Sequence, residues 1–94
     1  MENKSDLTAL RAAIDEIDRQ LLDLFCQRME VVAQVGLYKK AQGLPVLHPA
    51  REQEILERVR HNCPDEMGDY VSDYFAQMMR ISREYQQHIL KGDQ

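Results

Sequence analysis

The sequence predicts an all-α protein, with three helices per protomer, a very long first helix and a helical homodimer. Three observations carry that expectation. From Leu7 to Val35 the apolar residues Leu7, Leu10, Ile14, Ile17, Leu21, Leu24, Val31 and Val35 keep a seven-residue rhythm, the period of a helix with one apolar seam. Breaks at Gly43–Pro45 and at His61–Pro64 divide the chain into three helical stretches and leave no strand. The first helix would also be too long for the globule that a chain of 94 residues can make.

The first helix is expected to begin near Ser5 or Asp6, either of which can cap it, and to run to about Gln42. Gly43 suits the position just past a helix end, and Pro45 stops continuation. Gly43–His48 is a short linker. Pro49 fits the first turn of a second helix that reaches about Arg60. After the break, Asp65 and Glu66 suit a helix start, with Gly68 able to delay the regular part. The third helix continues to about Leu90. At 1.5 Å per residue the first helix, roughly 36 residues, is about 54 Å long. A domain of this size has a radius of gyration near ~12 Å and a diameter of roughly 30–35 Å. The seam therefore needs a partner over much of its length, and two long helices packed antiparallel in a homodimer supply it.

Residues 1–94 read as a single domain near the small end for an independent core. A formal net charge of −4 and a pI near 5.3 argue against nucleic-acid or anionic-membrane binding. No apolar run approaches membrane-spanning length. Met1–Asp6 has no signal-peptide apolar core. Cys26 and Cys63 lack metal-ligand spacing and suggest reduced thiols in a cytoplasmic protein. Cys26 reads as a small buried or half-buried residue.

The chemistry lies where polar residues interrupt the apolar stripes. Arg28 occupies a seam position, and a guanidinium that keeps its proton must find an anion there. Lys39 is eleven residues on, almost three turns, so the two share a helix face about 16 Å apart. Arg11 lies about 25 Å before Arg28 and is rotated by roughly 100°. It cannot reach the same small ligand, but in an antiparallel dimer the partner subunit's Arg11 can. On the second helix Glu52 shares the spacing of Ile55, Leu56 and Val59, with Arg51 beside it. On the third, Val71, Phe75, Met78, Ser82, Gln86 and Ile89 form one stripe, and Ser82 and Gln86 are neighbours within it. A serine can satisfy itself on its own backbone. A buried glutamine amide left unsatisfied costs ~1–3 kcal/mol.

The inward set is cation-rich, with Glu52 as its one carboxylate, and calls for a small ligand carrying several negative charges. There is no Gly-rich phosphate loop and no nucleophile–base grouping. His48 and Glu52 are spaced as half a metal site, with no second pair to complete it. No metal or cofactor is expected.

In these residues the chain resembles the all-helical chorismate mutases, whose three-helix protomers form intertwined dimers, and the resemblance implies an intertwined helical homodimer here. The match runs from about Leu7 to Gln87 and rests on an ordered set: Leu-Arg11, Ile-Asp-x-x-Leu-Leu around Asp18, Arg28, Val-Gly-x-x-Lys39, Pro45-Val46, Arg51-Glu52 and Ser82-x-x-x-Gln86. One position departs, since His48 stands where the family often carries an aspartate, near the substrate's ring hydroxyl. The resemblance implies the conversion of chorismate, a dicarboxylate, to prephenate by an intramolecular Claisen rearrangement, within phenylalanine and tyrosine biosynthesis. It implies that Arg28 and the partner subunit's Arg11 hold the carboxylates, with Arg51 and Ser82 close by. Lys39 would bridge a carboxylate and the ether oxygen, Gln86 would donate to that oxygen, and Glu52 would meet the ring hydroxyl. Two other functions compete: an isochorismate pyruvate-lyase on the same fold, and a non-catalytic helical dimerisation or regulatory module. The sequence leaves open whether the domain stands alone or is fused to a prephenate dehydratase, a prephenate dehydrogenase or a synthase.

Overall fold

A computed structural model describes residues 3–92, with side chains from Asp6 onward. It contains α1 (Asn3–Gln42), α2 (Pro49–His61), a 3-10 turn at Asp65–Met67, and α3 (Gly68–Gly92), with no strand among the described residues. The all-α class and the three helices are as the sequence predicts.

α1 has 40 residues and begins before the expected caps. Ser5 and Asp6 lie inside its first turns, where an acidic side chain such as Asp6 meets the positive end of the helix dipole. The side chain of Ser5 lies outside the described residues. The other end is a Schellman turn. Leu44 N donates to Lys39 O at 2.8 Å and Gly43 N to Lys40 O at 3.3 Å. That closure needs a left-handed residue, and Gly43 supplies it with φ of 69°.

α2 opens on His48, whose Nδ1 accepts from Arg51 N at 3.0 Å, with Pro49 in the first turn. Its face of Ile55, Leu56 and Val59 is half-buried along with Glu52. It ends where the Asn62 side-chain amide donates to Arg58 O at 2.8 Å. As anticipated, Gly68 marks the start of regular α3, after a 3-10 turn in which Met67 N donates to Pro64 O. Arg60 Nη2 meets Asp69 Oδ1 at 2.9 Å and joins the end of α2 to the start of α3. α3 runs two residues past the expected Leu90, within the usual fraying of helix ends.

The chain divides into two compact units, one ending at Val31 and one beginning at Val32. The first is helical throughout its described residues. Its seam is exposed: Leu10 is 62 % and Ile14 56 % accessible, and Leu7, Ile17, Leu21, Leu24 and Val31 are also exposed. A seam buried by its own chain is therefore not what forms. Cys26, expected to be buried or half-buried, is exposed as well. The second unit holds the core residues Val32, Val46 and Met79, and with them two buried polar side chains, Ser82 and Gln86. No helix of the described residues is long and apolar enough to cross a membrane.

Candidate active site

The second unit gathers polar groups from three segments around Gln86. Val32, Gly36 and Lys39 follow helical spacing on the last turns of α1. Gln86, 6 % accessible, reaches across from α3, and its Nε2 donates to Val32 O at 3.0 Å. The approach depends on Gly36. A Cβ there would stand 3.1 Å from Gln86 Cγ, closer than a carbon pair packs comfortably. A carboxamide nitrogen carries two protons, so one N–H remains after the bond to Val32.

Lys39 sits one turn beyond Gly36. Its Nζ donates to Val46 O at 2.8 Å, which fixes the linker against α1. An ammonium has three donors, so two remain for a ligand. Both groups are thus held by backbone carbonyls, and both keep donor capacity.

Ser82 is buried, and its Oγ donates to Met78 O at 2.9 Å, the self-satisfying bond open to a helical serine. Glu52 is half-buried on α2. Both of its carboxylate oxygens accept from Arg83 Nη1 at 2.6 Å, an ion pair between helices with side chains 24 % and 32 % accessible. Arg51 is exposed and pairs with Glu54 Oε1 at 3.0 Å on its own helix. The ring of His48 caps α2. In the first unit, Arg11 is exposed and Arg28 half-buried. Lys39, Glu52, Ser82 and Gln86 therefore belong to one compact unit, whereas Arg11 and Arg28 belong to the other.

Sequence reasoning missed Arg83. A signal was present: Met79, Ser82, Arg83 and Gln86 follow i, i+3, i+4, i+7, which puts Arg83 on the edge of the inward face. Gly36 appeared only as a motif letter. Its spatial role, clearance for Gln86, emerges once α3 is set beside it.

The family described as chorismate mutase type II matches residues 10–87. The chain belongs to that family. The T-protein of Enterobacter agglomerans is 41 % identical over 81 residues, which cover 83 % of this chain and 21 % of that protein. The chorismate mutase of Methanocaldococcus jannaschii is 35 % identical over 63 residues, 67 % of this chain and 64 % of that one. The 4-amino-4-deoxychorismate mutase of Streptomyces venezuelae is 29 % identical over 65 residues, 69 % of this chain and 63 % of that one. The chain spans about a fifth of the length of the T-proteins it matches. No solved structure matches it significantly.

Proposed function

We propose that this chain catalyses the rearrangement of chorismate to prephenate in aromatic amino acid biosynthesis, as a cytoplasmic homodimer with no cofactor. The observation that carries the reading, beside family membership, is the pair of anchored donors. Lys39 and Gln86 are each pinned by a backbone carbonyl and each keep N–H groups in reserve.

In the rearrangement the ether C–O bond breaks while a C–C bond forms between the enolpyruvyl arm and the ring. The arm is flexible and must lie over the ring first. Clamping its carboxylate and the ring carboxylate supplies that orientation. We assign this clamp to Arg28 and the partner subunit's Arg11, with Arg51 and Ser82 beside them. Negative charge gathers on the ether oxygen as its bond to the ring breaks. Lys39 and Gln86, aimed at that oxygen, bind the transition state more strongly than the ground state. Because backbone carbonyls already hold both side chains, little reorganisation is needed at that moment. Glu52 accepts from the ring hydroxyl, and His48 lines the same edge.

The exposed face of α1 supports the dimer. Its 40 residues carry an apolar seam that its own chain leaves exposed, more than an isolated protomer would keep in water. A second α1 packed antiparallel covers it and carries its Arg11 toward the other subunit's Arg28.

The test is loss of chorismate absorbance on adding the protein, followed by acid treatment that turns prephenate into phenylpyruvate. Phenylpyruvate at enzymatic rates is the expected result. Salicylate formed from isochorismate would assign the lyase activity instead, and no turnover of either would make the chain a non-catalytic module.

A further inference from the structure

The Glu52–Arg83 pair determines more than the rigidity of two helices. Arg83 lies three residues before Gln86 and next to Ser82, on the edge of the inward face of α3. One guanidinium nitrogen sits between the two oxygens of Glu52, at 2.6 Å from each. It uses one acceptor position on each oxygen and leaves the others open. Glu52 can therefore still accept a hydrogen bond from a ligand. It does so as half of a neutral pair, with a cation directly behind it.

We propose that Arg83 is a specificity-determining positioning residue: by pairing with Glu52 it presents the ring's polar substituent with an acceptor of no net charge, so that the site takes a ring hydroxyl and rejects a ring ammonium. The inference rests on the reading that Glu52 faces that substituent. A hydroxyl is neutral and needs only an acceptor in the right place. An amine on the same ring carbon, protonated at neutral pH, needs uncompensated negative charge and is repelled by a guanidinium a few ångströms further on. Discrimination then comes from a repulsive element as well as an attractive one. Lys39 and Arg51, the other cations of this unit assigned to the site, are present in the wild type and in every Arg83 variant alike, so they do not alter the contrast. Arg80, one turn before Glu84 on the exposed side of α3, is paired with that residue and plays no part.

The experiment compares kcat/KM for chorismate and for its 4-amino-4-deoxy analogue in the wild type, Arg83→Gln, Arg83→Met, Arg83→Lys and the double variant Glu52→Gln with Arg83→Gln. Both side chains of the pair are partly exposed, and helical content by circular dichroism checks each variant. The wild type should prefer chorismate. Arg83→Gln and Arg83→Met should move the ratio toward the amino substrate by about tenfold or more, chiefly through KM. Arg83→Lys, which restores the charge, should return it most of the way. The double variant should lose the shift, because no free carboxylate remains. A ratio unchanged in folded Arg83→Gln and Arg83→Met overturns the inference while leaving the proposed activity intact. A shift that persists in the double variant overturns it too, since Glu52 would not be the mediator. A wild-type chain that rearranges neither compound overturns the proposed function and this inference together.

Discussion

Gln86 and Val32 are 54 residues apart in sequence and joined by one hydrogen bond of 3.0 Å. The donor is a side-chain amide and the acceptor a backbone carbonyl inside α1. Gly36, one turn further on, leaves the space that lets the glutamine lie flat against the helix. This contact turns a buried glutamine from a cost into an anchored donor.

Gly36→Ala tests the clearance. Alanine favours the helix by about 1 kcal/mol. Its methyl group crowds Gln86 Cγ, and overpacking costs ~1–3 kcal/mol. The two effects nearly cancel in stability, so the melting temperature should move by only a few degrees. Activity should not cancel, because Gln86 must shift by tenths of an ångström. A fall in kcat of about tenfold is expected. Thermal melts and steady-state kinetics on the same preparation measure both.

Lys39→Ala removes an anchor and a donor at once. Loss of the bond to Val46 O should lower stability by about 1 kcal/mol. Loss of the charge proposed to face the ether oxygen should lower kcat by about 10²–10³. Urea unfolding and kcat separate the two. A stability loss without a rate loss would make Lys39 a linker clamp only.

His48→Asp should leave kcat/KM within about tenfold. Aspartate is a strong N-cap, so it can replace the imidazole nitrogen that accepts from Arg51 N. His48→Ala keeps neither function and should cost ~0.5–2 kcal/mol of stability. Paired melts and kinetics decide. A loss of several decades in His48→Asp would give the imidazole an essential part in the reaction.

How much of this was legible in the sequence depends on whether a residue's partner is local. Helix ends are local, and Gly43, Pro49, His48 and Gly68 each mark a boundary that forms. Ser82 and Gln86 were legible as polar breaks in an apolar stripe, and both are buried. The bond between Arg51 and Glu54 follows three-residue spacing and could have been read the same way. The Glu52–Arg83 pair could not, because it depends on the rotation of α3 against α2. The Lys39–Val46 bond was hidden for a different reason, since every residue carries a backbone carbonyl and side-chain patterns do not mark which one is used. Cys26 misled because its burial depends on whether anything is folded over that part of α1.

The proposed sharing of active sites between two subunits makes a mixing experiment decisive for the dimer. Arg11→Ala and Arg28→Ala chains should each be inactive. Refolded together, they form heterodimers in which one of the two sites receives both arginines. Activity should return to about a quarter of the wild-type level for statistical mixing. Heterodimers that form without any recovery would mean that Arg11 serves its own subunit or no site at all.

The central claim is that Gln86 donates a hydrogen bond to the oxygen of the breaking bond, and Gln86→Glu tests it most directly. A glutamine donates at any pH in the working range, whereas a glutamic acid donates only while protonated. Its unperturbed pKa is about 4.3, and burial at this position pushes it upward. The folded state then holds the proton longer than the unfolded state, so stability as well as activity falls as pH rises through that range. Helical content recorded at each pH separates the two effects. The measurement is kcat/KM from about pH 4.5 to about pH 8.5 for wild type, Gln86→Glu and Gln86→Ala, with Gln86→Ala expected to be slower throughout by about 10²–10³. Gln86→Glu should be active at the acidic end and lose activity as pH rises while still folded. A Gln86→Glu profile parallel to that of the wild type would place Gln86 away from the breaking bond and contradict the claim.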